Sequence, residues 1–452
     1  MIQRASEPPG PRPRPLLSRL RGPSLETLGL IGVALALRLA FVFAVHGPDA
    51  QPSSDGITYD ALAWNIARGM GFSLETEGGF YPTAKAPLLP WLLSLVYQVT
   101  GHVHFAALVM QCVLGAMVPV FVRALGRSLF GPGVGRIAAW LSVVHPLLVF
   151  FSGYLLTESL FTVMLLGGLL ASTEWLKSPS GASAFRMGVV WGLATLARPT
   201  ALPMPFLVAL WAWAPLGLML RPEERRRQVA LVGLALALTL APWAIRNTVV
   251  LGEFVLVTTG GGRTLLDANN PLVWDDPVMR GNAMSTAESE PWRTRWQGLS
   301  ETQVDRAAAS EAIAFGLSRW RDWPAMAWAK FARLWRPTAI TPGTGRWWAA
   351  GSLPDRLLGA TDPLLLWSLV TWPLALLGLV VTLRGKRRWF QSLPLFAIGL
   401  STAGALVFWG ALRMRVPLEP LVLLYAAAGL AHLLWRARVR RAGLALIAST
   451  RR

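Results

Sequence analysis

Apolar and polar positions alternate in long blocks along the chain. Apolar runs of about 17–22 residues with few charges are separated by shorter stretches rich in Arg, Gly and Pro. A helix of this length crosses a hydrocarbon core about 30 Å thick. The pattern therefore predicts an all-α polytopic membrane protein. We expect spans near residues 25–46, 105–122, 134–151, 155–176, 186–199, 202–220, 229–246, 363–383, 392–411 and 416–435.

Two apolar runs are short for a span. The 186–199 run ends at Arg198-Pro199, and the 86–100 run has about 15 residues. We expect the second to be re-entrant or to lie at the membrane surface. The composition supports a membrane protein, with 53% hydrophobic residues and a mean hydropathy of +0.45.

The net charge of +19 is distributed in a way that argues against nucleic-acid binding. More than half of the Lys and Arg residues fall in the two termini and in four short loops that would share one side of the membrane. The other short loops carry few, which is the positive-inside pattern. We therefore expect a multi-pass protein of the cell (inner or plasma) membrane with both termini in the cytoplasm.

The same topology divides the chain into five parts. We expect a disordered basic tail, an N-terminal membrane region whose first outer loop (47–85) is catalytic, an outer membrane-associated segment, a group of C-terminal membrane helices and a second basic tail. Their predicted ranges are 1–24, 25–246, 247–362, 363–435 and 436–452. The single cysteine, Cys112, lies in an apolar span and excludes an internal disulfide.

The outer segment contains a run with helical spacing, residues 303–336. Trp320, Trp323, Trp328 and Trp335 stand there beside Arg and Lys residues. This composition favours helices at the level of the lipid headgroups. A small subdomain with its own core is the alternative.

Charged residues gather where the predicted spans reach the outer boundary. Asp55 and Lys85 lie in the first outer loop, and acids and bases at the ends of several spans would join them in an outward-facing polar cavity. The candidates for substrate binding are Tyr59, Asp60, Lys85, Glu158, Arg198, Arg246, Arg413, Arg415 and Glu419, with Asp55 as the catalytic candidate. Ionisable residues at membrane depth are functional hypotheses by default.

Each candidate has a structural alternative. Arginines near helix ends extend their charge to the headgroups, and Glu158 or Glu419 would equally cap a neighbouring helix. Three histidines, His102, His104 and His145, have no supporting carboxylate spacing, so the sequence predicts no metal site from them.

A series of short motifs resembles the GT-C glycosyltransferases that depend on polyprenyl phosphates. Asp55-x3-Tyr59 and Lys85-Ala-Pro87 lie in the first outer loop, and further motifs follow in order. These are Thr157-Glu158, Ala197-Arg198-Pro199, Pro242-Trp243-x2-Arg246-Asn247, Asn269-Asn270-Pro271 and Arg413-x-Arg415-x-Pro417-x-Glu419. The motifs are similar to those of the protein O-mannosyltransferases and the lipid A aminoarabinose transferases (families 39 and 83).

The resemblance implies about 10–12 transmembrane helices, an outward-facing active site and an isoprenoid-phosphate sugar donor. It also implies that an Asp of the first outer loop is catalytic, and Asp55 is the matching residue. Two positions depart from the pattern: Lys85 replaces an Arg, and Gly56 follows Asp55 where the mannosyltransferases have a paired Glu. We therefore expect the bacterial branch that modifies cell-envelope lipids or glycans.

The predicted activity is inverting hexosyl or pentosyl transfer from a polyprenyl phosphate to a lipid, glycan or protein acceptor, with Asp55 as base. The expected partners are the lipid-linked sugar, the acceptor and the bilayer, without nucleic acid. No cofactor is certain, and a divalent metal is left open. A lipid-linked sugar flippase or transport component is the alternative, and an inactive assembly subunit is a third.

Overall fold

The computed structural model describes residues 24–47, 50–76, 79–213, 219–339 and 361–450. Helices dominate this part of the chain, joined by one short hairpin. The helices of the first half are α1 (Leu25–Val45), α2 (Asp55–Ala67), α3 (Leu88–Thr100), α4 (His104–Leu129), α5 (Pro132–Val143), α6 (Pro146–Phe150), α7 (Glu158–Lys177), α8 (Gly181–Ala197), α9 (Met204–Trp211) and α10 (Pro222–Leu251).

The second half continues in the same style. Its helices are α11 (Gly261–Ala268), α12 (Pro271–Trp274), α13 (Trp292–Arg295), α14 (Glu301–Ser318), α15 (Trp323–Leu334), α16 (Pro363–Leu383), α17 (Arg388–Gln391), α18 (Leu393–Val407), α19 (Leu412–Arg415) and α20 (Glu419–Thr450). The expected all-α polytopic architecture is confirmed.

Seven helices of the described residues are long and apolar enough to cross a membrane, or eight if a bent pair forms one span. The bent pair joins α5 to Pro146–Gly153 at an angle of 55°, where the predicted 134–151 span breaks at Pro146. The number is below the 10–12 implied by the resemblance because the runs at 86–100, 186–199 and 202–220 form shorter helices, α3, α8 and α9.

Burial identifies the centre of the bundle. In the apolar stretch of α7, 78% of the residues are buried, against 22% in α1 and α16. Helix α7 packs on α4 and α8, while α1 packs on α4 and α16 packs on α20. Apolar side chains on the outer helices, such as Phe43 and Leu369, remain exposed, as expected for helices that contact lipid.

Glycines permit a close helix crossing between α16 and α20. A Cβ atom on Gly378 would lie 1.8 Å from the carbonyl oxygen of Tyr425, and one on Gly429 would lie 2.1 Å from that of Leu374. Only glycine allows backbones to approach this closely. Helix α20 continues to Thr450, through the predicted tail at 436–452.

The predicted first outer loop is ordered into three elements. Helix α2 is followed by an antiparallel hairpin of β1 (Ser73–Thr76) and β2 (Gly79–Pro82), which pairs Ser73 with Pro82. The sequence analysis did not foresee this hairpin. Arg246 of α10 holds it in place by donating hydrogen bonds to the carbonyl oxygens of Phe72 (2.7 Å) and Thr83 (2.6 Å).

The 247–362 segment, described to residue 339 and from 361, forms small cores of its own. One core joins Leu266, Trp292 and Ala308, and another joins Trp274 and Met326. The helical pattern predicted at 303–336 corresponds to α14 and α15. Trp320 and Trp328 remain exposed, at 64% and 68%. The segment therefore has small cores of its own and also exposed tryptophans of the kind found at the level of the lipid headgroups. The rest of the predicted segment and the tail before residue 24 lie outside the described residues.

Candidate active site

Asp55 is the first residue of α2 and follows a strained backbone position. Ser54 has φ 54° and ψ −135° and is the one non-glycine residue with positive φ among the described residues. Such a conformation costs about 1–3 kcal/mol and is often found at functional sites. The Asp55 side chain is 58% exposed, so a substrate group can reach it.

The residue after Asp55 explains one departure from the family pattern. A Cβ atom on Gly56 would lie 3.3 Å from the carbonyl oxygen of Leu155. This distance leaves little room for the paired Glu of the mannosyltransferases. Close packing of α2 against the start of the α7 region accounts for glycine here.

Arg413 connects Asp55 to a buried carboxylate. Its Nη1 donates to Asp55 Oδ2 at 2.5 Å, and its Nε donates to Glu158 Oε1. Arg198 donates to the same Glu158 oxygen at 2.5 Å. Two carboxylates and two guanidinium groups from the starts of α2 and α7, the end of α8 and the short α19 thus form one cluster, which we call the Asp55 cluster.

Burial differs sharply within the Asp55 cluster. The Glu158 side chain is fully buried, and those of Arg198 and Arg413 are 14% and 23% exposed. Because an isolated buried charge is very costly, Glu158 depends on its two arginine partners. Its second oxygen, Oε2, accepts no hydrogen bond among the described residues.

Tyr59 lies one helical turn after Asp55 and packs beside the cluster. Burial raises the pKa of its hydroxyl, with a further increase from the nearby Asp55 carboxylate, partly offset by Arg198 and Arg413. Tyr59 therefore stays a neutral hydrogen-bonding group at physiological pH.

A second positive group lies in the connection between β2 and α3. Burial lowers the pKa of the Lys85 ammonium, and the neighbouring Arg263 lowers it further, while Glu301, Asp55 and Asp305 act in the opposite direction. Among the described residues, neither Lys85 nor the Arg263 side chain has a hydrogen-bonding or ion-pair partner. An unpaired lysine within electrostatic range of Asp55, with a second unpaired cation, Arg263, near that lysine, favours an anionic ligand.

Glu301 of α14 holds the 247–362 segment against this connection, and Asp305 orders the turn at Gly260 within that segment. Glu301 accepts hydrogen bonds from the hydroxyls of Thr83 (2.9 Å) and Thr259. Asp305 Oδ1 accepts from the backbone N–H groups of Gly260 and Gly262, at 2.9 and 2.7 Å. Arg263, Glu301 and Asp305 could not be predicted as neighbours of Lys85 from the sequence. They lie more than 170 positions from Lys85 along the chain, and only the fold brings them close to it.

The structure separates four other candidates from the Asp55 cluster. Arg415 and Glu419 form a buried pair at 2.5 Å, and Glu419 also contacts His145 at 3.1 Å. Arg246 binds carbonyl groups next to the hairpin, and Asp60 faces His102 and His104. A role for these residues in substrate contact stays a prediction.

The residues at Asp55 do not suit a divalent metal ion. The two carboxylates are balanced by two guanidinium groups, so a divalent ion would add two uncompensated charges to a largely buried cluster. Among the described residues, one group of His and Asp ligands comes close enough to hold an ion, and it lies at Asp60, His102 and His104.

Comparisons with known proteins fit this geometry. Residues 84–245, about a third of the chain, match the family model for dolichyl-phosphate-mannose-protein mannosyltransferases. The fold is that of the GT-C glycosyltransferases. The resemblance expected from the sequence is confirmed, although the match begins after Asp55 and ends before Arg413. No match was found among curated proteins.

The archaeal oligosaccharyltransferase AglB from Archaeoglobus fulgidus, solved with an inhibitory peptide and a dolichol-phosphate, is one similar structure. It has a TM-score of 0.53 at 16% identity, covering 92% of this chain and 51% of AglB. A structure of an Archaeoglobus fulgidus oligosaccharyltransferase tethered to an acceptor peptide has a TM-score of 0.54 at 15% identity, covering 92% of this chain and 50% of that protein. The chain thus spans about half the length of these proteins.

ArnT from Cupriavidus metallidurans bound to undecaprenyl phosphate is also similar. Its TM-score is 0.42 at 14% identity, covering 89% of this chain and 77% of ArnT. At identities of 15–16%, the two Archaeoglobus fulgidus structures show a shared fold and do not identify substrates.

Proposed function

We propose that the protein is a membrane glycosyltransferase that moves a sugar from a polyprenyl phosphate to an acceptor hydroxyl or amine on the outer face of the membrane. The observation that carries this proposal is the accessible carboxylate of Asp55, held by Arg413 and within electrostatic range of the unpaired Lys85, which Arg263 approaches in turn. The similar AglB structure, which contains a dolichol-phosphate, supports a lipid-phosphate donor.

The two cations suit the phosphate of the donor. A lysine and an arginine provide point charge and planar donors for phosphate oxygens. As the bond between the sugar C1 and the phosphate oxygen breaks, its electron pair stays with the polyprenyl phosphate. Lys85 and Arg263 would stabilise the charge that develops there, which is the usual electrostatic contribution to catalysis.

Asp55 supplies the base on the acceptor side. Its Oδ2 is held by Arg413, and its Oδ1 accepts no hydrogen bond among the described residues. As the acceptor oxygen or nitrogen forms its bond to C1, its proton passes to the Asp55 carboxylate. Attack opposite the phosphate inverts the anomeric centre.

Glu158 and Arg198 are positioning residues in this proposal. Glu158 is buried and cannot meet substrate, but it fixes the Nε edge of Arg413. Arg413 in turn sets the orientation of the Asp55 carboxylate. Through these contacts, residues of α7, the end of α8 and α19 hold the Asp55 carboxylate of α2 in one geometry.

A donor panel with two lysine variants tests the proposal. Full-length protein in proteoliposomes is given radiolabelled polyprenyl-phosphate sugars and a mixed acceptor extract, as wild type, Lys85→Met and Lys386→Met. Lys386 lies in the turn between α16 and α17 and serves as the matched control. We expect transfer with wild type and control and a loss of at least tenfold with Lys85→Met.

Two outcomes would contradict the proposal. Lys85→Met with undiminished transfer would remove the phosphate site from the mechanism. Donor that crosses the bilayer without release or transfer of its sugar, across the whole panel, would favour the transport alternative.

A further inference from the structure

Three potential metal ligands meet on the far side of α2 from the Asp55 cluster contacts. Asp60 Oδ2 lies 2.9 Å from His102 Nε2 and 3.4 Å from His104 Nε2, and the two Nε2 atoms are 3.3 Å apart. Asp60 belongs to α2, His102 to the turn after α3, and His104 to the first position of α4. The chain thus brings one carboxylate and two imidazoles together from three successive elements.

The distances match those of a tetrahedral ion. With bonds of about 2.0–2.1 Å to nitrogen and oxygen, two ligands of tetrahedral Zn²⁺ lie about 3.3–3.4 Å apart. The three observed separations form a triangle of nearly this size. An ion above that triangle would meet all three ligands at bonding distance and keep a fourth position for water.

The ligand atoms are held in place before an ion arrives. Tyr97 donates its hydroxyl hydrogen to Asp60 Oδ1, which turns Oδ2 toward the imidazoles. Trp64 stacks on the His102 ring at 4.7 Å with an interplanar angle of 2°. Hydrogen bonds and packing around ligands of this kind orient them for metal binding.

Access and charge also fit a cation. The Asp60 side chain is 9% exposed, whereas those of His102 and His104 are 32% and 18% exposed. A cation can therefore enter past the imidazoles toward a buried carboxylate. Arg68, which directly follows α2, is directed to Asn65 and Glu75 instead.

A hydrogen-bonded cluster is the competing explanation. In that case both imidazoles would direct their Nε2–H groups to the same carboxylate oxygen. Opposite tautomers would also allow one ring to donate Nε2–H to Asp60 while the other accepts through its lone pair. In a divalent site, by contrast, both nitrogens direct lone pairs to one positive centre, and the two explanations are separated by metal content.

We propose that Asp60, His102 and His104 form a divalent transition-metal site of the Zn²⁺ class, which fastens α2 to the start of α4. Imidazole ligands favour such ions over Mg²⁺. Because Asp55 begins α2, the ion would be a structural support for the base rather than a participant in the reaction. The proposal does not rest on the proposed function, since metal content can be measured without activity.

Metal content of the full-length protein tests the site. Protein in detergent, with any polyhistidine tag removed, is stripped with EDTA, loaded with Zn²⁺ in excess Mg²⁺, desalted and measured by elemental analysis. We expect about one Zn²⁺ per chain for wild type and a loss of at least tenfold in affinity for His102→Ala, His104→Ala and Asp60→Asn. His432→Ala, a histidine of α20, is the matched control and should keep the ion.

A milder variant distinguishes weaker metal binding from misfolding of the protein. Tyr97→Phe keeps every ligand but removes the hydrogen bond that orients Asp60, so we expect about 10–100-fold weaker binding in a folded protein. Zn²⁺ should also raise the Tm of wild type and not that of His102→Ala. Wild type without tightly held Zn²⁺, or full retention in a His102→Ala, His104→Ala double variant, would overturn the proposal.

Discussion

Arg413 joins two carboxylates of very different burial, and substitutions there should separate stability from activity. Its Nε meets the fully buried Glu158, while its Nη1 meets Asp55, which is 58% exposed. Removing one partner of a buried ion pair costs about 3–5 kcal/mol, and an exposed pair contributes about 0–1 kcal/mol. The two contacts of one guanidinium should therefore have unequal energies.

The expected free energies of unfolding follow from these contacts. Glu158→Gln leaves Arg198 without a carboxylate partner and Arg413 with Asp55 alone, and should destabilise by about 3–5 kcal/mol. Arg413→Gln should cost about 2 kcal/mol, because Glu158 keeps Arg198 as a partner. Asp55→Asn should cost less than about 1 kcal/mol.

Double-mutant cycles in mixed detergent micelles measure the two couplings. We expect a coupling energy of about 2 kcal/mol between Arg413 and Glu158, and less than about 0.5 kcal/mol between Arg413 and Asp55. A coupling to Asp55 that equals or exceeds the coupling to Glu158 would refute the reasoning from burial.

Arg413→Lys then tests geometry at constant charge. A single ammonium group cannot hold two carboxylates at separate positions as the planar guanidinium does. We expect sugar transfer to fall at least tenfold while the variant stays more stable than Arg413→Gln. Full transfer by Arg413→Lys would show that the orientation of Asp55 does not depend on this contact.

Three further predictions concern other parts of the fold. Burial and then Arg263 lower the pKa of Lys85; because phosphate binds the ammonium form, donor affinity should fall as the pH rises through that lowered pKa. Lys85→Arg should bind donor at higher pH than wild type does. If the donor affinities of the two proteins fell over the same alkaline pH range, this prediction would be wrong. Burial lowers the pKa of Lys330 to about 7, so between about 7 and the unfolded value of about 10.4 the unfolded chain holds more protons and stability should rise with pH. Lys330→Met should lose that rise in Tm, and an unchanged slope would exclude Lys330 as its source. Gly378→Ala should lower the Tm by several degrees because its Cβ would clash with α20, whereas Gly399→Ala, with open space around it, should be neutral; equal effects would argue against the close crossing.

The long apolar elements could be predicted from the sequence because burial in lipid has a strong local signal. Runs such as 25–46 and 363–383 closely match α1 and α16. The hairpin at 73–82 has strands of four residues, too short for a periodic pattern to show. The span predicted at 134–151 bends at Pro146, where the missing N–H breaks the helical ladder.

The candidate site could be predicted in composition but not in pairing. Asp55, Glu158, Arg198 and Arg413 were expected at one membrane boundary, and the structure brings them together, with Asp55 and Arg413 separated by 358 positions. Sequence spacing alone could not distinguish these residues from Glu419, which is also predicted to contact substrate. In the structure, Glu419 lies in a buried ion pair with Arg415.

The carboxylate beside the histidines could not be predicted from the sequence. No carboxylate stands at metal-ligand spacing from His102 and His104 along the chain. Asp60 provides that carboxylate from 42 positions earlier, through the packing of α2 against α3. Contacts between separate elements carry no signal in a single sequence.

A single-turnover measurement tests the role of Asp55 most directly. Wild type and Asp55→Asn are loaded with radiolabelled polyprenyl-phosphate sugar, mixed with acceptor, and followed for sugar transfer while donor affinity is measured in parallel. Because Asp55 is proposed as the base, we predict a transfer rate at least about 10²-fold lower for Asp55→Asn, with donor affinity nearly unchanged. Equal transfer rates for the two proteins would contradict the assignment of Asp55.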